Sequence, residues 1–246
     1  MAYEYLAKVY DQLMTDYDYD LCMDWLDGQV DFYGDILEMA CGTGTLTEKL
    51  SQRGPVTAFD GSLEMLDYAQ MKIAYNPRIQ FLHQDLRDFS LVEKYDTVVC
   101  FCDSLNYLLD REDLQACFRR VHDHLKPGAW FCFDVNTPYK YGKMADNIFA
   151  QESAEALALW QNSYDEKSRI NDYNLTIFQS LDLEGDTYRR YDEVHQQRAY
   201  DREEIGKALE ESGFEEVSYY DGYSQKDASD KTERLVVKAK RRENGK

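Results

Sequence analysis

From Asp35 onward, short apolar runs alternate with stretches whose apolar residues recur at helical spacing, the pattern of a parallel sheet built from strand–helix–strand units. The runs predict strands near Asp35–Met39, Val56–Phe59, Ile79–Leu82, Asp96–Phe101 and Trp130–Val135. Between them the spacing predicts helices over Thr45–Arg53, Leu63–Tyr75 and Arg111–His124, with Gly54-Pro55 and Pro127-Gly128 as stop signals. A further helix, Asp201–Ser212, ends at Gly213, and two more strands follow near Phe214–Tyr220 and Arg234–Ala239. Seven strands in that order suit an α/β fold with a doubly wound, mostly parallel sheet.

The period changes between Asn136 and Tyr200. Tyr173, Leu175 and Ile177 alternate with polar partners, Glu184-Gly185-Asp186 reads as a turn, and Tyr188–Tyr200 alternates again. This predicts a small antiparallel β-sheet inserted over 137–200, with 1–136 and 201–246 forming the main domain. On the second inserted strand Arg189, Tyr191, Glu193 and His195 share one face. That face is either a lid over a polar ligand, a homodimer interface or plain sheet surface. Residues 3–27 carry apolar side chains at mixed helical spacing and predict one or two helices over the sheet edge.

Charge narrows the partners. Lys plus Arg total 28 against 47 Asp plus Glu, a formal net charge of -19, so a nucleic-acid backbone is repelled. A small-molecule substrate is favoured, with a protein substrate left open. The basic cluster Lys238, Lys240, Arg241 and Arg242 reads as a solvated tail. The N-terminus lacks a basic, apolar leader and no segment approaches the ~18 apolar residues of a membrane span, which predicts a cytoplasmic location. Six cysteines without a C-x-x-C pair are expected as free thiols. His122 and His124 point to different helix faces, and no zinc-type spacing is present, so no metal is expected.

The chemistry concentrates where the first strand meets the first helix, in Leu37-Glu38-Met39-Ala40-Cys41-Gly42-Thr43-Gly44-Thr45. Gly42 and Gly44 let backbone approach a ligand, although glycines at such a turn also serve the turn alone. A dinucleotide site would want Gly or Ala at position 47 beneath the pyrophosphate, and this chain has Thr47. Glu38 would repel phosphate but favour the ammonium and sulfonium charges of S-adenosylmethionine. Asp60, at the end of the second strand, can accept from both ribose hydroxyls or cap the next helix. Asp85 and the Leu86 N–H can meet adenine, with Met65, Leu86 and Phe101 as apolar walls or as plain core.

Taken together, these residues resemble the class I S-adenosylmethionine-dependent methyltransferases, from Leu37 through the final strands. Tyr10-Asp11-Gln12-Leu13-Met14, Cys102-Asp103-Ser104-Leu105-Asn106-Tyr107, Asp134-Val135-Asn136 and Glu193-Val194-His195-Gln196-Gln197-Arg198 look like one little-characterised bacterial subgroup of that family. The resemblance implies a Rossmann-like methyltransferase fold and S-adenosyl-L-methionine as cofactor, with S-adenosyl-L-homocysteine as product. It puts Glu38, Ala40, Gly42 and Gly44 on the glycine loop, Asp60 on the ribose acid, Asp85 and Leu86 on the adenine contacts, Phe101 on the wall after strand four, and Tyr10 at the methyl-donor entrance. Many family members have Asp at the position of Glu38, and the longer side chain changes how the methionine end is held.

Methyl transfer from a sulfonium is an in-line displacement and needs no protein nucleophile; a general base adds roughly 10²-fold or more where the acceptor carries a proton. Asp103, Asn106, Tyr107 and Asn136 follow strands four and five and face the ligand crevice, and the inserted strand carrying His195 can close over it; the catalytic candidates are Asp103, Asn106, Tyr107 and His195. The run Asp103–Tyr107 lacks the paired prolines of the Asn-Pro-Pro-Tyr type motif of nucleobase and amide methyltransferases. Two other readings remain at this point. A non-catalytic S-adenosylmethionine-binding or assembly module would keep the same cofactor site, and a nicotinamide-dependent oxidoreductase would share the first strand–helix–strand unit and Asp60.

Overall fold

A computed structural model of the chain describes residues 5–15, 17–182 and 187–243. After a 3-10 turn at Leu6–Lys8 come α1 (Tyr10–Leu13) and α2 (Tyr19–Asp27), the latter capped by the Asp18 side chain on the Leu21 N–H. The alternating part follows as β1 (Ile36–Met39), α3 (Thr45–Leu50), β2 (Val56–Asp60), α4 (Leu63–Lys72), β3 (Ile79–His83), β4 (Tyr95–Cys100), α5 (Arg111–His124) and β5 (Leu125–Asn136). Next come α6 (Pro138–Met144), the strands β6 (Ile148–Glu152), β7 (Ala156–Asp165), β8 (Ile170–Ser180) and β9 (Tyr188–Arg198), then α7 (Arg202–Glu211), β10 (Phe214–Asp221) and β11 (Arg234–Arg241).

The large sheet has the order β10-β11-β5-β4-β1-β2-β3. β1 pairs in parallel with β2 and β4, and β11 runs antiparallel between β5 and β10. Alternation along each strand splits the core in two. Leu37, Met39, Val98, Phe131, Phe133 and Val237 pack with α5 and α7 on one face; Ile36, Ala58, Val99 and Cys132 pack with α2 and α3 on the other. Strands covered on both faces read as near-continuous apolar runs, which is why the sequence shows them so clearly. β6-β7-β8-β9 form a separate antiparallel sheet. All six cysteines carry free thiols, five of them buried, and no helix among the described residues is long and apolar enough to cross a membrane.

The differences from the sequence reading have local causes. α3 stops at Leu50 rather than Arg53, and α4 at Lys72 rather than Tyr75, where Ile73 turns extended ahead of Asn76-Pro77. β5 begins at Leu125, not Trp130: Pro127-Gly128 lies inside the strand, at the point where its register against β4 slips, with Gly128 at φ 77°. The insertion has four strands instead of the two legible ones. β6 is largely exposed and β7 turns small or polar residues inward, Ala156, Ala158 and Asn162, so neither shows apolar alternation. The Glu184-Gly185-Asp186 turn lies outside the described residues, as do positions 3 and 4 of the N-terminal segment. That segment covers faces rather than an edge: Trp25 packs on the large sheet, while Leu6, Val9 and Leu13 pack on Ala158, Leu175 and Ile177 of the small one.

Candidate active site

β1 ends in a loop that must turn back sharply into α3, and Ala40, Gly42 and Gly44 take φ of 53°, 55° and 77° to do so. The two glycines serve different ends. A Cβ on Gly42 would meet nothing within 4 Å, so its backbone faces open space. A Cβ on Gly44 would stand 2.9 Å from Ile73 Cδ1 and 3.2 Å from Ala69 Cβ, so Gly44 lets α3 pack on α4 and does not line the cavity, contrary to its expected ligand role. The Gly42 N–H donates to Asp60 Oδ2 at 2.8 Å and the Ser62 N–H to Oδ1 at 2.8 Å. The α4 cap is Ser62, not Asp60. Each Asp60 oxygen keeps a lone pair for a further donor.

Glu38 is 3 % exposed, and its Oε2 has no hydrogen-bond partner among the described residues. Burial pushes its carboxyl up to about 8; the Thr47 hydroxyl opposes the shift and the Asp60 charge adds to it. Burial likewise raises Asp60, against the backbone N–H groups that hydrogen-bond to it. A carboxyl kept dry and unpaired is costly unless a cation completes it.

Around this loop lies a cavity of about 440 Å³, lined by Tyr10, Glu38, Ala40, Gly42, Asp60, Met65, Asp85, Leu86 and Phe101 among others. Nine of the ten expected cofactor residues are therefore brought together. Sequence reasoning missed Arg87, whose guanidinium forks onto Asp85 at 2.6 and 2.7 Å and holds that carboxyl below its ordinary value. It also missed Asp11. Its Oδ1 accepts from Thr43 Oγ1 at 2.5 Å and its Oδ2 from Lys72 Nζ at 2.5 Å, which pins α1 over the glycine loop.

A second cavity of about 460 Å³ adjoins the first; Tyr10, Cys102 and Tyr107 line both. Its other walls come from Asp103, Asn136, Lys140, Trp160, Tyr173 and Arg234, so the inserted sheet closes it. Cys102 and Asp103 sit at φ 60° and 50°, a strained turn held by the Asp103 N–H on Asp134 Oδ1 at 2.6 Å. Arg234 bridges Asp103 at 2.9 Å and Asp134 at 2.7 Å. Burial would raise the Asp103 carboxyl, but Arg234 and Lys140 outweigh it and hold it low. Burial lowers the Lys140 ammonium, whose Nζ donates to Asn136 Oδ1 at 2.9 Å.

Asn106 departs from its expected catalytic place. It is 0 % exposed and staples three elements, donating to the Asn136 and Arg198 carbonyls at 3.0 and 2.7 Å and accepting from the Asn136 N–H at 2.9 Å. It lines neither cavity. His195 lines neither as well, but its Nδ1 lies 3.1 Å from the Tyr107 hydroxyl and its Nε2 2.9 Å from Glu193 Oε2. The inner face of β9 is thus packed inside this chain, with Glu193 also tying down the Leu6 N–H at 3.0 Å.

The comparisons agree with this geometry. A methyltransferase domain profile matches residues 36–128. The methyltransferase-family protein YqeM of Bacillus subtilis is 35 % identical over 98 % of this chain and 98 % of its own. A crystal structure of an S-adenosylmethionine-dependent methyltransferase from Clostridium acetobutylicum superposes with a TM-score of 0.85 at 31 % identity, covering 98 % of this chain and 100 % of that one. A Streptomyces venezuelae dTDP-3-amino-3,4,6-trideoxy-alpha-D-glucopyranose N,N-dimethyltransferase is 34 % identical over 38 % of each chain. With identity above 30 % to two proteins over nearly the whole of this chain and of theirs, the chain belongs to the class I S-adenosylmethionine-dependent methyltransferase family.

Proposed function

We propose that the chain methylates a small polar molecule held in the second cavity, with the donor in the first. The observation that carries this reading is the shared wall: Tyr10, Cys102 and Tyr107 border both spaces, which sets an acceptor in the second beside a donor in the first. The first cavity fits the donor. The unpartnered Glu38 Oε2 would receive its ammonium, the open Gly42 turn its methionine backbone, and Asp60 its ribose hydroxyls. Met65, Asp85, Leu86 and Phe101 would hold adenine, and Ala40 would shape the loop. When bound, S-adenosylmethionine supplies an electrophilic methyl group. The protein's part is to hold the acceptor atom in line at ~3 Å and to exclude water.

Two features favour a small polar acceptor. Tyr10, Tyr107, Trp160 and Tyr173 offer flat apolar walls, and Lys140 has two N–H donors beyond the one on Asn136. The volume falls within the range of small-ligand sites, ~300–1,000 Å³. The partial relative acting on an amino sugar is in keeping with such an acceptor. A net charge of -19 disfavours nucleic acid, and free thiols suit the cytoplasm. Because α1 and the turn before it cover the inner face of the inserted sheet, a homodimer through that sheet would use its outer face.

The test is release of S-adenosylhomocysteine from S-adenosylmethionine with three acceptor pools: a bacterial small-molecule ultrafiltrate, total tRNA and the protein fraction. Release is expected with the ultrafiltrate alone, and Trp160→Ala lowers it while S-adenosylhomocysteine binding persists. Release driven by the RNA or protein pool would overturn the reading.

A further inference from the structure

We infer that Tyr107, His195 and Glu193 form a proton relay ending at the wall between the two cavities, so that the acceptor atom is a hydroxyl or a protonated amine. The inference rests on the second cavity being the acceptor site. The hydrogen bonds assign the protons. Glu193, 6 % exposed, accepts at Oε1 from the Tyr5 N–H at 2.5 Å and the Leu6 N–H at 3.0 Å. Burial works against its charge, but His195 and these N–H groups outweigh it and keep the carboxyl below its ordinary value. An ionised carboxylate only accepts, so His195 Nε2, 2.9 Å away, is the donor. That leaves a lone pair on Nδ1, aimed at the Tyr107 hydroxyl at 3.1 Å. His195 is 1 % exposed, so water does not compete for it.

Tyr107 is the member of the three that borders both cavities. Among the described residues, the other titratable or charged groups that line the second cavity with it or lie close by include Tyr10 on α1, Cys102 and Asp103 after β4, Tyr141 and the Lys140 ammonium on α6, Tyr173 on β8 and Arg234 on β11. Burial raises Tyr10, Cys102, Tyr141 and Tyr173, which keeps them protonated, and Asp103 is committed to Arg234 and Gln197. His195 is the base that meets the Tyr107 proton. In the transfer, the acceptor atom bonds to the methyl carbon while the carbon–sulfur bond breaks with its electron pair going to sulfur. The acceptor proton passes to Tyr107 Oη as the Tyr107 proton passes to His195 Nδ1, before the attack for an ammonium, whose lone pair this frees, and during it for a hydroxyl; the imidazolium then faces the Glu193 carboxylate. Tyr107 is the catalytic residue; His195 and Glu193 act through it as positioning residues, by the logic of a nucleophile–base–acid triad.

Two measurements test this. ¹⁵N NMR of the complex with S-adenosylhomocysteine, assigned with His195→Gln, should show the neutral form of the His195 ring protonated at Nε2 and bare at Nδ1. The opposite tautomer overturns the relay whatever the acceptor is, including the case in which the ultrafiltrate supports no turnover and the acceptor reading itself fails. With the ultrafiltrate as acceptor source, Tyr107→Phe and His195→Gln should slow S-adenosylhomocysteine formation ~10²-fold, with affinity for that product unchanged in His195→Gln, whose side chain lines neither cavity. The deficit should shrink as pH rises and the acceptor ionises unaided. A deficit equal at every pH, or full activity of Tyr107→Phe, overturns the relay.

Discussion

The two cavities share a wall but are built on opposite principles. The first is framed by loops at the ends of β1, β2, β3 and β4, and it keeps one carboxyl, that of Glu38, buried with its Oε2 unpartnered among the described residues. The second is framed by side chains from α1, α6, β7, β8, β9 and β11, and its acids are already paired through Arg234. A buried carboxyl that ionises only to meet a cation selects a ligand by sign, whereas a neutralised network selects by shape and by the few donors left over. One cavity is therefore specified by a single residue, and the other by an enclosure.

Breaking the comparison at its strongest point means removing Arg234. Arg234→Met leaves Asp103 and Asp134 facing each other without a cation, and urea unfolding should show a loss of about 3–5 kcal/mol. Glu38→Gln should do the reverse on two counts. Calorimetry should find affinity for S-adenosylhomocysteine reduced by about 2–4 kcal/mol, the cost of removing one partner of a buried charge pair. Without ligand the variant should melt higher in alkali. The Glu38 carboxyl has a folded-state value of about 8 against an ordinary 4.5, so the protonated form favours folding. That contribution is fully present below pH 4.5 and lost as pH rises through 8. Above that pH the glutamine is spared the penalty, and its melting temperature should lie on the order of 5 °C above wild type.

Smaller substitutions sharpen the distinction within the glycine loop. Gly44→Ala forces a Cβ into Ile73 as well as into a left-handed backbone, and should cost about 1–3 kcal/mol of stability. Gly42→Ala carries the backbone strain alone, about 1–2 kcal/mol. A thermal melt of both should rank them in that order, and equal losses would contradict the packing role of Gly44. The smallest effect belongs to Trp160→Ala, which lies in the second cavity and should leave the dissociation constant of S-adenosylhomocysteine within about twofold, since Trp160 does not line the first cavity.

The same contrast explains what the sequence disclosed. The large sheet was legible because its strands are covered on both sides, and the first cavity because its residues sit at successive strand ends: Glu38 and Gly42 at the end of β1, Asp60 at that of β2 and Asp85 just after β3. Tyr10 was expected from the family resemblance and does reach the cavity, but its anchor Asp11 leaves no local pattern. The second cavity was largely hidden. Lys140, Trp160, Tyr173, Gln197 and Arg234 come from five elements and converge through tertiary packing alone. Asn106 misled because a polar residue after a strand reads as a ligand contact, while its amide is consumed by two carbonyls. His195 was placed on the right face of its strand, yet its alignment with Tyr107 and Glu193 depends on how the small sheet docks.

Whether Glu38 receives the cationic end of the donor is measured most directly by calorimetric titration of S-adenosylhomocysteine near pH 7 in buffers of different ionisation enthalpy. With its carboxyl pushed up to about 8, wild-type Glu38 is mostly protonated before binding and must ionise to meet the ammonium. Binding should therefore release ~1 proton, falling towards zero as pH passes 8, and Glu38→Gln should bind weakly with no release at either pH. Tight binding by Glu38→Gln, or a wild-type titration with no proton release near pH 7, would contradict that role of Glu38.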